Sequence, residues 1–162
     1  MKVHLRAWLA AGLVSGAVAF GATAANATVY NGLTMAQLKA IFTAAGKSVS
    51  EVQPGILRLS QGPLVQLTQC PSNENGTCYE IEIERTFANV KPTLQAVNQW
   101  NYNSKIPEAS VDSSGNLHFE FWVTTVGMTE QLLLDSIGWF EGAWQDPEGQ
   151  QFWQPYMSGA GS

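Results

Sequence analysis

Basic residues are scarce in this sequence. Its 162 residues hold 8 Lys and Arg against 13 Asp and Glu, a formal net charge of −5. A chain with that balance repels phosphate backbones and anionic headgroups, so no nucleic acid is expected among its partners. Cysteine is reduced to Cys70 and Cys78. Their spacing is neither the C-x-x-C of a redox motif nor a zinc-ligand pattern. Histidine is confined to His4 and His118. There is no G-x-S-x-G, no glycine-rich phosphate loop and no Asp-rich calcium loop. Beyond residue 27 no run is apolar enough to span a bilayer. These absences leave no metal, no cofactor and no catalytic residues to expect, and they point away from an enzyme.

What is present begins at the N-terminus. Lys2 and Arg6 make a short cationic start, Ala7 to Phe20 is apolar or small, and Ala25-Asn26-Ala27 offers small residues where a signal peptidase reads. Residues 1–27 are therefore expected to be a secretory signal peptide cut after Ala27, with Ala22-Thr23-Ala24 as the second choice. The apolar run falls short of the roughly 20 strongly apolar residues of a spanning helix, so membrane contact is expected only if the segment stays uncut. Export places the remainder in the periplasm. There Cys70 and Cys78 are expected to pair as a disulfide. The residues between them, including Pro71, Ser72, Asn73 and Gly76, favour a turn. Closing that loop stabilises the fold by about 2–3 kcal/mol.

The pattern of the remainder predicts one domain over 28–146. Thr34 and Gln37 form a capping box with Leu33 and Leu38 as a staple, and the helix should stop at Gly46. After a weak, polar strand candidate at 47–52, strand-like runs follow at 55–60, 64–69 and 78–87. In the last of these Tyr79, Ile81 and Ile83 alternate with Glu80, Glu82 and Glu84. Pro92 is placed as the first residue of a helix ending near Asn103, with Leu94, Val97 and Asn101 on one face. Strands over 106–111 and 117–126 flank an Asp112–Asn116 turn, and Thr129 caps a last helix. Short links between strands imply antiparallel pairing. The fold class expected is α+β, an antiparallel sheet with helices packed on it, in the order α-β-β-β-α-β-β-α. Residues 147–162 read as a polar, aperiodic tail in which Phe152, Trp153 and Tyr156 either pack on the body or contact a partner.

Asn98-Gln99-Trp100-Asn101, a strand, the Asp112-to-Gly115 turn, a second strand and a helix opened by Gly127 to Glu130 occur in that order. Together with the capped first helix and the Cys-bounded loop, this succession resembles the YbjN family of putative sensory-transduction regulators. The resemblance spans 33–144. It implies a fold like the type III secretion chaperones, often dimeric, whose members bind polypeptides and are not enzymes. A signal peptide and an aromatic tail depart from the cytosolic members.

The residue chemistry leaves alternatives open. Asn98, Trp100 and Asn101 either satisfy backbone groups and pack on the sheet, or form a partner-binding site. Glu80, Glu82 and Glu84 line one strand face, either as a solvated face or as acids for a cation or a hydrolytic reaction with Glu120. His118 is either a surface residue or part of a nucleophilic set. The expected function is an exported, non-enzymatic module binding a protein or peptide, including a possible homodimer. A small-ligand sensor and a carboxylate-dependent hydrolase are the rivals.

Overall fold

The computed structural model describes residues 27–60, 62–72, 75–104 and 106–157. The expected signal peptide, apart from Ala27, lies outside these residues. No helix among the described residues is long and apolar enough to cross a membrane. The chain runs β1 (Val29–Asn31), α1 (Met35–Ala44), β2 (Val49–Gln53), β3 (Ile56–Leu59), β4 (Leu64–Thr68), β5 (Glu80–Phe87), α2 (Leu94–Asn103), β6 (Glu108–Val111), β7 (Leu117–Thr124), β8 (Val126–Thr129), α3 (Glu130–Gln145) and α4 (Pro147–Met157). The architecture is α+β. A fully antiparallel six-stranded sheet takes the order β2-β3-β4-β5-β7-β6, and β1 pairs with β8 in a separate ribbon.

Local chemistry explains most of these elements. Thr34 and Gln37 form the reciprocal capping box that starts α1. Gly46 ends it at φ +72°, where Lys47 N–H reaches back to Phe42 O at 2.9 Å. Thr129 caps α3, and Leu133, Ile137 and Phe140 turn fully inward. The Cys70–Cys78 disulfide closes the loop before β5.

Several elements differ from the sequence reading, β8 among them, which pairs with β1 where no separate strand is expected. β1 was not foreseen, because three residues are too few to show a period. The strand expected to run to 126 stops at Thr124, because buried Thr125 turns its hydroxyl to Cys78 O at 2.8 Å before β8 begins. The helix α2 starts later than Pro92, because Thr93 is extended and its hydroxyl accepts from Ala96 N–H. Its buried face is Ala96, Val97 and Trp100, while Leu94 is 70% exposed. The last is α4, in the segment read as aperiodic. Asp146 accepts from Gly149 N–H at 2.6 Å and Pro147 occupies the first helical position, a cap-and-proline start that was legible.

All four helices pack on one face of the sheet. Leu38 and Phe42 of α1, Trp100 of α2, Phe140 of α3 and Trp153 of α4 share one core with Leu57, Val65, Ile81, Ile83 and Phe119 of the strands. Aromatic rings lock α4 down. Trp153 lies 5.3 Å from both Phe119 and Trp100, and Trp100 lies 5.5 Å from Phe119. Such ring pairs add about 0.5–1.5 kcal/mol each beyond area burial. The tail aromatic Trp153 is thus packed on the body.

Candidate functional site

Strand alternation decides what the other face of the sheet carries. Ile81 and Ile83 are fully buried, so Glu80, Glu82, Glu84 and Thr86 of β5 point away from the helices. Their partners on β7 face the same way: Thr124, Trp122, Glu120 and His118 respectively. From β6, Glu108 stands opposite Glu120 and Ser110 opposite His118. From β4, Gln66 stands opposite Glu82 and Leu64 opposite Glu84. Trp122 is 41% exposed.

The charges on this face oppose one another. Glu84 faces Glu120 across one ladder and Glu108 faces Glu120 across the next. Like charges placed directly opposite are destabilising. Burial, and then the charges of Glu120, Glu84 and Glu80, push the Glu82 carboxyl above its usual range. Burial and the Glu84 and Glu108 charges push Glu120 up against the opposing pull of His118.

His118 bridges two acids at the end of the row. Its Nδ1 lies 3.1 Å from Glu84 Oε1 and its Nε2 lies 3.4 Å from Asp112 Oδ2. Burial disfavours the charged ring, but the hydrogen bonds to Glu84 and Asp112 and their charges outweigh it, so its pKa is raised. Asp112 is held down to about 2, chiefly by the backbone N–H of Asn116. The Asp112 carboxylate also accepts from Ser114 N–H at 2.8 Å, which sets the turn.

Two chemical capacities follow. Glu84, His118 and Glu120 present ligand atoms within 4.8 Å of one another and could hold one divalent ion. Thr86 Oγ1 is also 3.1 Å from His118 Nδ1, which brings a hydroxyl, an imidazole and a carboxylate together. That set is poorly arranged for nucleophilic attack. The Thr86 hydroxyl donates to Glu84 at 2.7 Å, and the flanking acids favour the protonated ring, which cannot take a proton from Thr86.

The Asn98–Asn101 segment is placed differently from a contact surface. Trp100 is 4% exposed and its indole N–H donates to Pro107 O at 2.9 Å. The Asn101 carboxamide donates to Ala109 O at 2.9 Å and accepts from Ala109 N–H at 2.7 Å. It therefore covers the outer edge of β6, where unpaired strand groups would otherwise invite pairing. Asn98 alone of the three is exposed. Nearby, Trp100, Asn103, Ile106, Asp146, Glu148 and Phe152 line a cleft of about 370 Å³.

Comparison of the sequence with models of protein families gives no match, and comparison with curated proteins gives none either.

Proposed function

We propose that this chain is an exported, non-enzymatic module that binds polypeptide on the open face of its sheet. The observation that carries the reading is the asymmetry of that sheet: four helices cover one face, while among the described residues no helix covers the other, which is rich in carboxylates and carries Trp122. The disulfide suits an oxidising compartment, and the succession of motifs over 33–144 supports a YbjN-like domain with a chaperone-like fold. Trp122, partly exposed beside Glu82, is of the aromatic type enriched at contact surfaces.

Site-directed photo-crosslinking in the cell envelope tests this. A crosslinker at position 122 should capture polypeptide, whereas crosslinkers at Leu94 and Trp139, which are exposed on the helical layer, should not. Capture from the helical positions alone would move the contact surface. No capture from any position, with a thermal shift produced by small metabolites, would favour a ligand sensor built on the 370 Å³ cleft beside Trp100.

A further inference from the structure

We infer that the occupant of the open sheet face is an extended segment carrying Lys or Arg at alternate positions. This rests on the polypeptide-binding reading and names its partner class. Alternate residues of a strand lie about 7 Å apart on one face. Glu80, Glu82 and Glu84 therefore form a straight line of carboxylates at that repeat along β5. An extended peptide has the same repeat, so every second side chain meets a carboxylate. Glu120 and Glu108 widen the line across β7 and β6.

The neighbours of this line suit a basic side chain in detail. Trp122 stands directly beside Glu82 with its ring partly open, and aromatic faces attract guanidinium and ammonium groups. Ile56 and Leu64 are half-buried on the same face and offer apolar surface to the aliphatic stems of Arg and Lys. Glu84 is already bonded to His118, so cationic side chains would chiefly offset the repulsion between Glu120 and Glu108, which a neutral or acidic segment would leave in place. The basic groups both lie at the Glu84 end: Arg58 stands across Leu64 from Glu84 and His118 stands opposite Thr86, so the acidic stretch extends from Glu84 towards Glu80.

Fluorescence polarisation on the purified, disulfide-bonded protein tests the inference. The probe is a short labelled peptide alternating Arg and Ser, compared with a peptide of equal composition in which the Arg residues are consecutive. Saturable binding of the alternating peptide is expected, several-fold tighter than the block peptide. A Glu82→Gln/Glu84→Gln/Glu120→Gln variant should weaken it about tenfold, and Trp122→Ala about two- to fivefold. Circular dichroism confirms that each variant is folded. Equal binding by the triple variant, or equal binding of the block peptide, overturns the inference. If neither basic peptide binds while position 122 still captures polypeptide in the envelope, the charge assignment fails and the polypeptide reading stands. If both assays are blank, both fail.

Discussion

The two faces of the six-stranded sheet are built from the same strands and obey opposite rules. On the covered face Ile81, Ile83, Val65 and Phe119 are buried against helices, and each contact serves stability. On the open face β5 and β7 carry mostly Glu and Thr with Trp122 and His118, β3 and β4 add Ile56, Arg58, Leu64 and Gln66, and the cross-strand pairs include two that repel. A face selected for stability alone would alternate charge signs across the ladders. The open face instead gathers Glu80, Glu82, Glu84, Glu108 and Glu120 with only Arg58 and His118 of opposite sign among them, and it is this imbalance that the proposed contact would use.

That contrast can be broken experimentally. The largest effect belongs to the covered face: Phe119→Ala removes a ring that touches Trp100, Phe87 and Trp153. It should cost about 3–5 kcal/mol in urea denaturation. A loss below about 1 kcal/mol would show that the aromatic cluster does not hold α4 to the sheet.

The open face should respond with the opposite sign. Glu120→Gln removes repulsion with Glu84 and Glu108 and should raise stability by about 0.2–1 kcal/mol in the same assay. Destabilisation would mean that the row is a stabilising network.

The smallest effect is a pH dependence from His118, which faces Glu84 and Thr86 of β5, Ser110 of β6, Asp112, and Glu120 on its own strand. Its folded-state pKa is raised. The contribution is therefore fully present below the unfolded value of about 6.5 and is lost as pH rises through the folded value. Because the ring and both acids remain partly in water, about 0.5 kcal/mol is the expected size. Chemical denaturation of wild type and His118→Gln across that range should show the two curves converging at high pH. Parallel curves would remove His118 from the electrostatics of this face.

Much of the covered face was legible in the sequence, because burial imposes a period. Leu38, Ile41 and Phe42 at helical spacing, and Ile81 and Ile83 at strand spacing, are buried as expected. The capping residues Thr34 and Thr129 were legible because a cap needs a side-chain oxygen at one position. The helix α4 was obscured by Gly149 and Pro155, which read as breakers; Trp153 lies in the core nonetheless. The carboxylates of β5 were visible as a charged face. Their opposition to Glu120, and of Glu120 to Glu108, depends on the register of β5, β7 and β6, which no local pattern encodes. Trp100 and Asn101 illustrate the reverse case. Their residue types left packing and recognition both open, and the choice could not be made in the sequence because the β6 backbone that Asn101 completes is an edge created only by the tertiary fold.

The central claim is that the open, acidic face of the sheet is the contact surface. Amide and indole NMR shifts of the folded protein during titration with the alternating Arg–Ser peptide test it most directly. The account predicts shifts concentrated at Glu80, Glu82, Glu84, Glu120 and the indole of Trp122, with the Trp100 indole unmoved. Shifts centred on Trp100, Phe152 and Glu148, with β5 and β7 silent, would contradict it.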